Sequence, residues 1–206
     1  MEYNPAKKEI KLDRVLSNLD KFVLDFVRIL ERHLDYVIVS GYVSILFGRS
    51  RTTEDIDLLV KINEKKFSEF WKEITEEFEC INTSNYRTAL DMLNEHAIRF
   101  ARKNIPIPNI EFKTMKTSFD RYSYNNRLRV ILKEGGLYIS QLEMQIAYKL
   151  FLGSRKDIED AKHLYDLFEE KLNKEELHRL IREFKVEDKF NLIKREYEKK
   201  RFRKIE

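Results

Sequence analysis

The chain has 206 residues, 37% of them charged, a net charge of +4, one cysteine, five glycines and three prolines. That length allows one large domain or two small ones with a real core. The single Cys80 excludes an intrachain disulfide, and His33, His96, His163 and His178 have no zinc-ligand spacing.

From the N-terminus, the stretch from Leu12 to His33 carries Val15, Leu19, Phe22, Val23, Phe26, Ile29 and Leu30 at helical spacing, a stripe able to cover one face of a sheet. Tyr36-Val37-Ile38-Val39 reads as a buried strand, broken at Ser40-Gly41 and followed by an apolar helical stretch from Tyr42 to Phe47. A basic loop, Gly48 to Thr53, leads to a strand at 55–61, and Glu64 to Phe78 forms a second amphipathic helix with Phe67, Phe70, Trp71, Ile74 and Phe78 inward. The pattern then predicts a short helix over 89–94 and a strand over 97–101. Pro106 and Pro108 punctuate the approach to a strand through Ile110-Glu111-Phe112. Arg127 to Leu132 and Leu137 to Ile139 make a hairpin, and the sheet ends there.

Beyond it the period is helical throughout. Ser140-Gln141-Leu142-Glu143 has the form of a capping box, so a helix is expected from Ser140 to a stop at Gly153. Ser154 to Asp157 starts the next, with Ile158, Ala161, Leu164, Tyr165 and Phe168 inward, and two more helices over 173–184 and 187–204 complete a small bundle. The expected fold is therefore α/β (α+β), a mixed β-sheet core flanked by helices in residues 1–139, followed by a helical domain in 140–206.

Chemistry concentrates at Asp55-Ile56-Asp57-Leu58, where alternation sets two carboxylates on one strand face and two apolar side chains on the other. Upstream, strand, Ser40-Gly41 turn and helix start make a seat for phosphates, because helix N-termini present unpaired N–H groups and glycine admits a close approach. Two carboxylates nearby suit Mg²⁺ held against a triphosphate. Glu111 alternates in the same way and offers a third acid. Arg49 and Arg51 read either as loop surface or as cations for the phosphates.

The stretch SGYVSILFGRSRTTEDIDLLV resembles the signature of the polymerase-beta-like nucleotidyltransferase superfamily. One departure is Tyr42, which occupies a place usually given to Ser or Gly, so that its ring crowds the seat or Ser40 supplies the hydroxyl instead. Residues 140–167 are similar to the helical part of the abortive-infection toxin type, on Lys149, Arg155, Lys156-Asp157 and Asp160. Lys149, in an otherwise largely apolar helix, reads either as a snorkelling stem or as a cation reaching for nucleotide phosphates. Asp157 also suits a capping box, and Lys156 with Asp160 suits an i,i+4 surface pair.

The resemblance implies transfer of a nucleoside monophosphate from an NTP to a hydroxyl, with Asp55, Asp57 and Glu111 as catalytic and metal-holding acids for two Mg²⁺ ions. Ser40, Gly41, Arg49, Arg51, Lys149 and Asp157 are then the nucleotide-binding set. The toxin-like branch implies an RNA acceptor such as a tRNA 3′ end and a cognate antitoxin as partner; other relatives imply a small-molecule or protein hydroxyl. A catalytically silent nucleotide- or RNA-binding module is the alternative. The first 120 residues carry 19 Lys and Arg against 20 Asp and Glu, the remaining 86 carry 21 against 16, and Lys194 to Lys204 alone holds seven basic residues and two acidic ones. That run reads as a solvated helix end or as a backbone-tracking patch for nucleic acid. No long apolar segment is present, which makes the cytoplasm the expected location and no membrane contact expected.

Overall fold

Nine short strands pair into one mixed sheet among residues 1–202, which the computed structural model describes. In chain order they are β1 (Glu2–Asn4), β2 (Glu9–Lys11), β3 (Tyr36–Ile38), β4 (Asp55–Val60), β5 (Phe78–Cys80), β6 (Ile98–Arg102), β7 (Ile105–Thr114), β8 (Leu128–Leu132) and β9 (Gly135–Ile139). Their spatial order is β1-β2-β8-β9-β3-β4-β7-β6-β5. The strand that carries Asp55 and Asp57 is therefore interior, antiparallel to β3 on one side and parallel to β7 on the other. Interior strands bury one face or both, which is why Ile56, Leu58, Ile110 and Phe112 are fully buried.

The covering helices are α1 (Asn18–Leu30), α2 (Gly41–Leu46), α3 (Glu64–Glu77), α4 (Tyr86–Glu95) and α5 (Ser118–Asn125). The first starts at Asn18 and not near Leu12, because Ser17 and Asp20 close a reciprocal capping box there. Its stripe meets the sheet through Phe26, which stands 5.2 Å from Phe78 and 5.6 Å from Phe100, and on α3 Phe70 stacks on Phe112 at 5.6 Å. Each such ring contributes about 1.5–3 kcal/mol by leaving water. The two prolines do not delay β7, which runs from Ile105, because the partner register on β6 jumps from Asn109 to Ile105 and leaves residues 106–108 outside the ladder. Strands β1, β2 and β5 and helix α5 are absent from the sequence-based expectation; three-residue strands are too short for period 2 to declare itself.

The helical segment comprises α6 (Leu142–Leu152), α7 (Arg155–Phe168), α8 (Lys174–Glu183) and α9 (Glu187–Phe202). Ser140 does not cap α6 as expected. Its N–H donates to the Ile38 carbonyl at 2.9 Å, so its main chain still belongs to the sheet, and Gln141 precedes the helix without a side-chain cap. Gly153 does end α6, at φ +71°, a left-handed conformation that favours glycine. Ser154 caps α7 by accepting from the Asp157 N–H.

Two compact units emerge, one of residues 1–46 with 51–140, the other of residues 47–50 with those from Gln141 on. In the second, Phe47 packs edge-on against Phe168 at 4.8 Å. No helix among the described residues is long and apolar enough to cross a membrane.

Candidate functional site

Register across three strands builds a polar row on one sheet face. Asp57 on β4 lies opposite Glu111 on β7, Glu111 opposite Arg99 on β6, and Asp55 opposite Asn109. Residues in register share a face, so the acids stand on the side away from Phe100 and Phe112. Glu111, chosen from the sequence, thus comes beside Asp57.

What joins them is a cation to which the sequence motif assigns no role. Lys113, two positions beyond Glu111 and so on the same face, donates to Asp57 Oδ1 at 2.6 Å and to Glu111 Oε2 at 2.7 Å. Arg99 donates to Glu111 Oε1 at 3.0 Å. The signal was available: the alternation that selects Glu111 selects Lys113 as well.

Burial pushes the Asp57 carboxyl up, but the Lys113 charge and hydrogen bond, helped by Glu111 and Ser40, outweigh it and hold the group below its ordinary range. Burial likewise presses the Lys113 ammonium down, and Asp57 with Glu111 overcomes this and raises it. Both residues are therefore charged at neutral pH.

Ser40 adopts φ +64°, a left-handed conformation that costs a residue with a Cβ and is met at functional turns. Next to it, a Cβ on Gly41 would fall 2.0 Å from Arg51 Nη2, so the arginine lies where only glycine leaves room. Tyr42 does not crowd this turn. Its ring is fully buried and its hydroxyl donates to Asp20 Oδ1 at 2.9 Å. Asp20 also accepts from Arg14 at 2.6 Å and from the Ser17 N–H at 2.7 Å, and burial together with Asp20 raises the Tyr42 phenol well above its ordinary range. Arg49 turns the other way in the chain and donates to Glu159 of α7. The two loop arginines therefore serve different partners.

The carboxylates fit a hard divalent cation in part. Asp57 and Glu111 already converge on one positive centre, the Lys113 ammonium, and the Asn109 side-chain oxygen, in register with Asp55, is buried without a donor among the described residues. Hard oxygen donors of this kind suit Mg²⁺. Asp55 stands one pleat along the same face, where Thr53 Oγ1 donates to its main-chain oxygen at 3.0 Å. Among the described residues no group of three or more His, Cys, Asp and Glu side chains is arranged to hold a metal ion. The expected three-acid convergence is thus met by two acids.

A second lysine-centred cluster lies within the helical unit. Lys149 Nζ on α6 donates to Asp157 Oδ1 at 2.8 Å and stands 3.0 Å from Asp160 Oδ2. The Lys149 side chain is 3% exposed and that of Asp160 fully buried, so the ammonium does not snorkel and Asp160 is no surface partner of Lys156. Burial raises the Asp157 carboxyl, but bonds from Lys149 and Ser154 outweigh it and leave the group below its ordinary range. In the basic run, Lys200 pairs with Asp166 at 2.5 Å and Arg201 with Glu170 at 3.8 Å, so two of its five described cations fold back on acids; Arg203 and Lys204 lie outside the described residues.

No protein-family model and no curated protein matches the chain. Solved structures do. A nucleotidyltransferase-like antigenic protein from Paracoccidioides brasiliensis is similar at TM-score 0.54 and 17% identity, over 84% of this chain and 90% of that one. The antibiotic-resistance factor ANT(2'')-Ia is similar at TM-score 0.52 and 10% identity, over 86% of this chain and 96% of that one. Neither likeness singles out the abortive-infection branch. Together with the mixed sheet, its flanking helices and the helical segment after it, they show that this chain has a nucleotidyltransferase-like fold.

Proposed function

We propose that the chain transfers a nucleoside monophosphate from an NTP to a hydroxyl. An acceptor oxygen attacks the α-phosphorus, the new O–P bond forms as the bond to the bridging oxygen breaks, and pyrophosphate leaves. The observation that carries this reading is the convergence of Asp57 and Glu111 on one cationic centre, next in the sheet to the strained Ser40-Gly41 turn. Asp55, Asp57 and Glu111 would hold Mg²⁺, with the Asn109 oxygen as a further donor. When bound, the metal supplies charge neutralisation of the triphosphate and a lowered pKa for the attacking hydroxyl. Glu111 accepts that hydroxyl's proton. Ser40 and Gly41 receive the terminal phosphates, and the Arg51 guanidinium neutralises charge there. Residues 1–139 act as the catalytic core and 140–206 as a helical domain, in which Lys149 and Asp157 hold the helices together. The acceptor we favour is RNA, as for a toxin-like enzyme with a cognate antitoxin.

The test is incubation with each labelled NTP, Mg²⁺ and total cellular RNA. Label is expected on RNA with the wild type and to fall by about a hundredfold or more with Asp57→Asn. Wild-type transfer by that variant would remove the assignment. A second reading, a silent nucleotide- or RNA-binding module, is favoured by one observation: Lys113 neutralises the two central acids from within the chain. It predicts NTP or RNA binding with no label transferred to any acceptor.

A further inference from the structure

The charge of Lys113 lies between two strands. Its ammonium bridges carboxylates from two neighbouring strands at 2.6 and 2.7 Å, and Arg99 holds the outer oxygen of Glu111 at 3.0 Å. These are the distances of direct ion pairs, and a cation coordinated by the same two oxygens would stand nearer still, at roughly 2.0–2.1 Å for Mg²⁺. Two positive centres do not share that position, since like charges a few ångströms apart repel. The lysine stem is also free to leave: the Lys113 side chain is 35% exposed, against 19% for Asp57 and 16% for Glu111, and its four-carbon stem turns easily toward water.

From this the geometry points to Lys113 as a resident cation that competes with a divalent metal for Asp57 and Glu111, keeping the two acids neutralised until metal displaces it. The inference rests on the reading of these acids as a metal site. Its consequence is a threshold. The metal-free protein is stable with its acids paired, and the metal must offset the loss of two ion pairs before it is held. The displaced ammonium then stands beside the site as a mobile positive charge, of the sign that an incoming triphosphate requires.

The measurement uses Mn²⁺ alone, without nucleotide, titrated against the full chain and followed by its paramagnetic signal, with Mg²⁺-induced shift in Tm as a second readout. Lys113→Met and Lys113→Gln are expected to bind Mn²⁺ about tenfold more tightly than the wild type and to gain a larger Tm shift from Mg²⁺, whereas Lys113→Arg keeps wild-type behaviour. Asp57→Asn provides the reference. If that variant loses Mn²⁺ binding while neither neutral variant of Lys113 binds more tightly, the competition is overturned and the metal site stands. Should Mn²⁺ binding be indifferent to Asp57→Asn, the metal site itself falls, and the competition with it.

Discussion

Two lysines in this molecule each face two carboxylates, and they live under opposite conditions. Lys113 bridges Asp57 and Glu111 on the sheet with a third of its side chain in solvent; Lys149 bridges Asp157 and Asp160 between α6 and α7 with 3%. The same charge arithmetic therefore has two physical meanings. A pair that solvent reaches on the lysine's side is partly screened, so the lysine contributes less to stability than a sealed one. In a sealed pair each member removed leaves the other charges stranded in low dielectric.

The strongest way to break this contrast is Lys149→Ala. Asp157 would lose its cation and Asp160 would keep Arg49, 3.7 Å away, so a loss of about 3 kcal/mol is expected by denaturant unfolding. A near-neutral result would mean that water reaches the cluster and that the two lysines are alike. Acid gives a gentler probe. Asp157 has a depressed folded-state pKa, so the stability it contributes is present above its unfolded value, about 3.9, and is lost as pH falls through the lower folded value. The helical unit should thus weaken below about pH 4, and Asp157→Asn should flatten that limb of the pH–stability curve. A smaller effect is expected at the more open cluster, where Glu111 keeps Arg99: Lys113→Met should lower metal-free stability by less than Lys149→Ala does. An equal or larger loss would place Lys113 with the structural lysines and argue against its exchange for a metal.

The same contrast explains what the sequence discloses and what it conceals. Alternation in Asp55 to Leu58 and in Ile110 to Phe112 is local, period 2 is unambiguous there, and both strands, with the shared face of their acids, are legible from residues alone. The helical periods after Ser140 are legible for the same reason, and Gly153 marks its stop through a backbone conformation that few other residues adopt. What stays hidden is pairing between distant positions. Nothing local to Lys149 tells a snorkelling stem from a sealed ion pair, since that depends on which residues α7 brings across. Tyr42 misleads in the same way: a bulky ring at a turn reads as an obstruction until Asp20, 22 positions earlier, is seen to receive its hydroxyl. Lys113 has the parity of Glu111 in its strand, so its face is legible locally, while its partner Asp57 is not.

Asp20 has one more implication. Its carboxylate closes the capping box of α1 and also anchors Tyr42 at the start of α2, so a single side chain fastens two helix beginnings that the chain separates widely. Neither residue is then replaceable by itself. Trimming the tyrosine to serine would leave a void the size of a ring above an acid that has lost one of its donors, while exchanging Asp20 for alanine would leave the buried phenol without its acceptor. Among distant cousins of this chain, a small residue at position 42 should therefore travel with a changed residue at position 20, the two varying as a unit.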